Sequence, residues 1–153
     1  CSGKVYYDIV AERAKRSMDE VAVVRIEQLY PFPHEEFQAQ IDAYPNAKSI
    51  VWCQEEPGNQ GAWHRIQHYL ARHMRPDQQL SFAGRKSSAS PAVGYLQLHN
   101  EQQKELVDAA LSFGAASKNA RAALPGSIIS CAARRRTPSG SPSPPTRSGR
   151  IAR

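Results

Sequence analysis

The segment Cys53–Trp63, with the sequence CQEEPGNQGAW, contains the residue types best suited to chemistry. Glu55 and Glu56 are adjacent carboxylates, and two close carboxylates can have their pKa values pushed apart, so that one serves as an acid and the other as a base. A helix start is predicted directly downstream, where a carboxylate can instead accept the backbone N–H groups of residues 60–62. Because neighbouring side chains point in different directions, we expect capping or contact with another part of a larger protein rather than direct catalysis.

The segment Arg85–Ser90, with the sequence RKSSAS, is a second candidate. Hydroxyl groups, two cations and a following helix start would suit a phosphate or another anion. The chain contains neither a Walker-type phosphate loop nor a GxGxxG motif. An ordinary solvated loop is the simpler interpretation, and a site for an anionic regulatory nucleotide is the alternative.

The histidines and cysteines do not complete a catalytic or metal site. His64 and His68 are four residues apart and could share a metal, but no third ligand follows at a suitable spacing. The GxSxG signature of a serine nucleophile is absent. Cys1, Cys53 and Cys131 are odd in number and far apart, which favours a reducing compartment over a disulfide framework or a zinc site. We therefore predict no catalytic residue and no metal ligand in this chain.

The formal net charge of +6 is unevenly distributed along the 153 residues. Residues 1–113 contain 12 Lys and Arg against 14 Asp and Glu, whereas residues 114–153 contain 8 Lys and Arg and no acid. The first segment suits one domain, and the second, rich in Ala, Arg, Ser, Pro and Gly, is predicted to be a disordered basic tail. Its composition is also typical of a GC-rich gene read out of frame. We interpret residues 114–153 as the product of a frameshift or gene-model error, with a genuine extension as the alternative.

Hydrophobic periodicity predicts alternating helices and strands throughout residues 1–113. Helices are expected over about residues 4–16, 33–44, 61–74 and 99–113, and strands over about residues 21–26, 48–53 and 79–83. Ser2 is predicted to cap the first helix. This alternation favours a three-layer αβα fold with a mostly parallel sheet of about four or five strands, whose functional loops gather at the carboxyl ends of the strands. The segment Cys53–Trp63 follows such a strand end.

Five motifs, taken together, are more specific than any one of them. They occur in the order CSGKVYYDIV, VAVVRIEQLYPFP, VWCQEEPGNQGAW, FAGRKSSASPAVGY and HNEQQKELVDAAL. Over roughly residues 1–112 they closely resemble the C-terminal domain of the 2-oxoglutarate dehydrogenase family, and more distantly the transketolase-like enzymes. The resemblance implies an oxidoreductase of the tricarboxylic acid cycle that decarboxylates 2-oxoglutarate on thiamine diphosphate with magnesium and passes the succinyl group to a lipoyl carrier.

The catalytic motifs of that family do not occur in this chain. The diphosphate motif containing GDG is absent, and no histidine matches an active-site motif. The chain also opens on Cys1 without the strand expected to lead into this turn. The resemblance therefore implies an N-terminally truncated fragment that is inactive alone and binds neither cofactor by itself.

The role implied for such a fragment is structural, through packing against other domains and part of a dimer contact. The interface candidates lie in the two loops and are Glu55, Glu56, Gln60, Trp63, Arg85, Ser88 and Ser90. The implied partners are the remaining domains of the parent chain, a homodimer partner and the lipoyl-bearing succinyltransferase component, with neither a membrane nor nucleic acid expected. The expected location is the bacterial cytoplasm, with the mitochondrial matrix as the alternative. The rival function is a small regulatory or nucleic-acid-binding module that uses the basic tail or the Arg85–Ser90 loop.

Overall fold

The computed structural model describes residues 1–115 and 127–129, which form alternating helices and strands. The helices are α1 (Val5–Lys15), α2 (His34–Ala43), α3 (Trp63–His73) and α4 (Leu96–Ala115), and the strands are β1 (Val21–Val23), β2 (Ser49–Pro57), β3 (Gln79–Arg85) and β4 (Ser127–Ile129). Each helix and strand predicted within residues 1–113 is present, with shifted ends. In this described part of the chain, no helix is both long and apolar enough to cross a membrane.

The described strands form one parallel sheet in the order β1-β4-β2-β3. Cys53 of β2 lies opposite Ala83 of β3, but the register then shifts, so that Pro57 lies opposite Arg85. The shift is a bulge that adds residues to β2 relative to β3, which explains why β2 runs past its predicted end. The prediction of an α/β fold with helices around a parallel sheet is confirmed.

Alternation along β2 divides the core into two halves, because successive side chains of a strand point to opposite faces of the sheet. Val51 and Cys53 pack in one core with residues of α1 and α4. Ile50 and Trp52 pack in the other core with residues of α2 and α3. Both faces of β2 are therefore covered, as its uninterrupted apolar run predicts for a parallel strand.

The start of α1 differs from the prediction. Lys4 occupies the N-cap and no side-chain hydrogen bond caps the helix, so the predicted Ser2 cap is wrong. The reason is the path of the backbone: Cys1 still pairs with the chain beyond β1, since its carbonyl accepts the N–H of Ile26 at 2.8 Å. Ser2 and Gly3 must turn the chain from the sheet into the helix, and Gly3 does so with a φ of 69°.

The strand β4 was not predicted from the sequence. A stretch of three residues is too short to show a periodicity, so Ser127–Ile129 gave no recognisable strand signal. Residues 116–126 and 130–153 lie outside the described residues, and the prediction of a disordered, out-of-frame tail remains a prediction there.

Candidate functional site

The two candidate loops meet at the carboxyl ends of β2 and β3. The N–H of Gly58 donates to the carbonyl of Arg85 at 2.9 Å. Asn59 exchanges two hydrogen bonds with the backbone of Ser88, each of 3.0 Å, and Gln60 Nε2 donates to the same carbonyl at 2.9 Å. Because the carboxyl ends of parallel strands lie at the same edge of a sheet, segments distant in sequence form one connected surface.

Gln54 holds the first loop in shape, although sequence reasoning did not single it out as a site residue. It is 1% exposed, and its Oε1 accepts hydrogen bonds from Trp52 Nε1 at 2.9 Å and from the N–H of Trp63 at 3.0 Å. Its Nε2 donates to the carbonyl oxygens of Glu56, Pro57 and Gln60. A single buried amide therefore ties the end of β2, the turn and the start of α3 together.

Alternation along β2 explains why Glu55 does not cap α3. Gln54 lies on the same face as Trp52, beneath α3, whereas Glu55 points to the opposite face, toward α1 and α4. There its Oε1 lies 3.3 Å from Lys4 Nζ and accepts a hydrogen bond from Gln103 Nε2 at 2.9 Å. The expectation that a glutamate accepts the N–H groups of residues 60–62 is therefore corrected for Glu55. The N–H of Gln60 donates instead to the carbonyl of Pro57, and Gln54 accepts the N–H of Trp63.

Glu56 and Trp63 have different surroundings from Glu55. Glu56 is exposed and lies over Gly61, where an added β-carbon would come within 3.0 Å of Glu56 Oε2 and 2.8 Å of Gln54 Nε2. Gly61 also has a φ of 67°, so the turn requires glycine at this position. Trp63 is half-buried and packs on Phe82 with ring centroids 5.2 Å apart. Its ring therefore covers the edge of the core that Ile50 and Trp52 share with α2 and α3.

Arg85 is a buried cation, with 8% of its surface exposed. Its Nη2 donates to His99 Nδ1 at 3.2 Å and to Gln103 Oε1 at 3.1 Å. A guanidinium can only donate, so His99 must accept with a neutral ring that carries its proton on Nε2. Arg85 Nε is buried without a hydrogen-bond partner, and no carboxylate of the described residues forms an ion pair with this guanidinium. Glu55 reaches it only through Gln103.

Arg85 lines a cleft of about 520 Å³ between its own loop and α4. The polar lining residues of the loop include Lys86, Ser88 and Ser90, and those of the helix include Glu101 and Glu105. Ser88 Oγ accepts the N–H of Ser90 at 3.2 Å, so these two serines also shape the loop locally. A cleft with a buried, uncompensated guanidinium in its wall can take a carboxylate or another small oxyanion.

Cys53, His64 and His68 do not form a catalytic or metal-binding group. Burial raises the pKa of Cys53 to about 12, so the thiol stays protonated and is a poor nucleophile. His64 and His68 lie on the exposed face of α3. Within residues 1–115 and 127–129, no three His, Cys, Asp or Glu side chains are placed to hold a metal ion. These residues therefore offer magnesium no ligand set of this kind, and no step of a thiamine-dependent reaction is assigned to them.

Known proteins are similar in sequence to this domain. The family model for the 2-oxoglutarate dehydrogenase C-terminal domain matches residues 1–111. The 2-oxoglutarate dehydrogenase E1 component of Cupriavidus necator is 58% identical over 112 residues, and those of Haemophilus influenzae and Coxiella burnetii are each 52% identical over 113 residues. These matches cover 72 to 74% of this chain but 12% of each relative. The chain belongs to the 2-oxoglutarate dehydrogenase C-terminal family.

Proposed function

We propose that this domain is the C-terminal lobe of a 2-oxoglutarate dehydrogenase E1 component and that it holds neighbouring parts of that enzyme in place. The complete enzyme would decarboxylate 2-oxoglutarate on thiamine diphosphate with magnesium and pass the succinyl group to a lipoyl-bearing succinyltransferase. Membership of the family and the E1 names of the relatives support this parent reaction. The partners of the domain would be the other domains of its own chain and a second subunit.

The observation that carries the supporting role is the uncompensated charge of Arg85. Removing a charge from water costs several kcal/mol unless a partner of opposite charge and further hydrogen bonds compensate for it. The matched relatives contain far more polypeptide than this domain, since the match covers 12% of their length. We therefore propose that a carboxylate from that additional polypeptide enters the cleft and pairs with Arg85. Guanidinium and carboxylate groups favour a bidentate geometry for such a pair.

The isolated chain is predicted to be inactive, because the proposed role leaves the reacting groups on other polypeptide. The purified 153-residue protein would be incubated with carboxyl-labelled 2-oxoglutarate, thiamine diphosphate and magnesium, and the released carbon dioxide would be counted. We expect no release above the protein-free blank. Release that depends on the protein would overturn the proposal that this domain only supports the reaction.

A chimera tests the docking role of Arg85. Residues 1–112 would replace the matched segment of the Cupriavidus necator relative, and carbon dioxide release, the dimer dissociation constant and the melting temperature would be measured. We expect an active dimer. Arg85→Gln should weaken the contact by about 2 kcal/mol or more, because it removes one partner of a buried charge pair. That energy corresponds to about a thirtyfold rise in the dimer Kd if the carboxylate comes from the partner subunit.

If the carboxylate comes from the same subunit, Arg85→Gln would instead lower the melting temperature and leave the dimer Kd unchanged. The matched control is Arg72→Gln, which removes an exposed arginine from the last turn of α3. Equal behaviour of the two variants in both measurements would show that Arg85 has no docking partner.

A free anion is the second candidate occupant of the same cleft, and the unpartnered Nε of Arg85 is the observation in its favour. Glu101 and Glu105 line the opposite wall and would repel a ligand with several negative charges, which favours a single carboxylate. Calorimetry of the 153-residue chain with adenosine monophosphate separates the two candidates. Binding heat that Arg85→Ala abolishes would establish the nucleotide, and the absence of heat in both proteins would remove it.

A further inference from the structure

The strand β4 fills a gap inside the sheet rather than extending an edge. Ser127 lies opposite both Val21 of β1 and Ser49 of β2, and Ile129 lies opposite Val23. Both pairings are parallel. Without an occupant in this position, which we call the acceptor gap, β1 and β2 would face each other with unpaired backbone groups inside the domain, where such groups are costly.

Cys1 lies on the side of β1 that faces β2, as β4 does, because its amino group is close enough to Cys53 of β2 to act on that thiol and both cysteines pack in one core. The amino nitrogen of Cys1 donates to the carbonyl of Val24 at 3.3 Å, and its carbonyl accepts the N–H of Ile26 at 2.8 Å. This is the pattern of a residue in a parallel strand that lies opposite Arg25. Cys1 therefore continues the sheet ladder that Ser127–Ile129 begins.

Counting positions along this ladder shows what the acceptor gap is shaped for. Ile129 lies opposite Val23 and Cys1 lies opposite Arg25, so one position, opposite Val24, separates them. Residues joined to the amino end of Cys1 and continuing its strand would pass that position and then run opposite Val23 and the residues before it. They would have the same direction as β4 and would occupy the same backbone positions.

We propose that the acceptor gap has two mutually exclusive occupants: polypeptide joined to the amino end of Cys1 and, in this chain, its own segment Ser127–Ile129. The segment is suited to the position because it carries two adjacent β-branched residues, the type favoured in strands covered on both faces. This proposal concerns backbone pairing alone and does not rest on the function proposed above. A chain that contains both segments can place only one of them in the sheet.

Hydrogen exchange of the intact 153-residue protein, followed by mass spectrometry, tests whether the segment fills the gap. Ile128→Pro removes a backbone donor from β4, and Ile151→Pro is the matched control in the same tail. We expect exchange in residues 21–26 to become faster by about tenfold or more in Ile128→Pro only. Equal exchange in the two variants would overturn the proposal.

A second comparison leaves the domain unsubstituted, so it remains decisive if Ile128→Pro fails to fold. Four valines are added before Cys1 in one protein, and Gly-Ser-Gly-Ser is added in the other. We expect the valine extension to become protected and residues 127–129 to lose protection by about tenfold or more, because valine favours strands and the added residues are already joined to Cys1. Protection of residues 127–129 that is the same in both proteins would overturn mutual exclusion.

Discussion

Gln54 shows how one side chain can determine the geometry of a functional loop. Both ends of its amide are used, with Oε1 accepting two N–H groups and Nε2 directed at three carbonyl oxygens. Among uncharged side chains, only an amide offers two N–H donors together with a carbonyl oxygen, and asparagine is one methylene shorter than glutamine. The identity of Gln54 is therefore more constrained than that of the exposed Glu56, two residues further along β2.

Gln54→Leu keeps the volume of the side chain and removes every one of these hydrogen bonds. We expect the free energy of unfolding to fall by about 3 kcal/mol, because several buried polar groups lose their partners. Urea denaturation followed by tryptophan fluorescence and circular dichroism provides the measurement. Gln97→Leu, on the exposed first turn of α4, is the control. A loss no larger than that of the control would show that water replaces the amide without cost.

The contact between α2 and α3 contains a pair of histidines. His73 Nδ1 lies 2.8 Å from Gln38 Oε1, so this nitrogen donates, and His73 Nε2 then accepts from His34 Nδ1 at 2.8 Å. Phe32 and Tyr69 stack beside this pair with ring centroids 5.1 Å apart. A neutral His73 thus satisfies both hydrogen bonds between the helices.

Burial lowers the pKa of His73 below its ordinary value of 6.5, with smaller contributions from His34 and the positive charge of Arg72. The folded protein thus binds this proton less readily than the unfolded chain. The associated stability is present above pH 6.5 and is lost as the pH falls from there through the folded pKa. We expect His73→Gln to make the loss of stability between about pH 7 and pH 5 shallower.

The measurement is the free energy of unfolding from urea titrations across that range. His64→Gln, which removes an exposed histidine of the same helix, should leave the slope unchanged. A slope that is the same in all three proteins would show that His73 does not contribute to the acid sensitivity.

On the scale of the whole molecule, large apolar side chains are exposed at the start of α4, beside the cleft. Tyr95 is 79% exposed and Leu96 is 75% exposed, and Leu98 is 40% exposed and lines the cleft itself. Single exposed apolar residues are common, but adjacent ones next to a cleft are typical of a contact surface. The position of this patch agrees with the proposed role of the cleft as a docking site.

Replacing Tyr95 and Leu96 by serine is predicted to reduce self-association of the isolated domain, because it removes apolar surface that lacks a partner. Sedimentation velocity over a range of concentrations gives the fraction of oligomer, and the free energy of unfolding should change by less than about 0.5 kcal/mol. The control is Ala92→Ser, which alters an exposed residue of the same loop with little change in apolar area. Unchanged self-association in the double variant would show that the patch is not a contact surface.

Periodicity in the sequence determined the helices α1 to α4, the strands β1 to β3 and the α/β class. A buried face repeats along the sequence with the geometry of the element that carries it. The Lys48–Cys53 run, for example, indicated a strand covered on both sides. The motifs determined the family. The loops Cys53–Trp63 and Arg85–Ser90 were also recognisable as candidates, since their residue types are suited to turns and anions.

The tertiary structure alone decided how these parts act together. The bulge between β2 and β3, the link from Glu55 through Gln103 to Arg85, and the strand Ser127–Ile129 all join residues that are far apart in the chain. Such contacts leave no periodic signal, because each depends on which strand lies beside which and in what register. The same holds for Arg85, whose burial without a carboxylate partner among the described residues becomes visible only when α4 covers the end of β3.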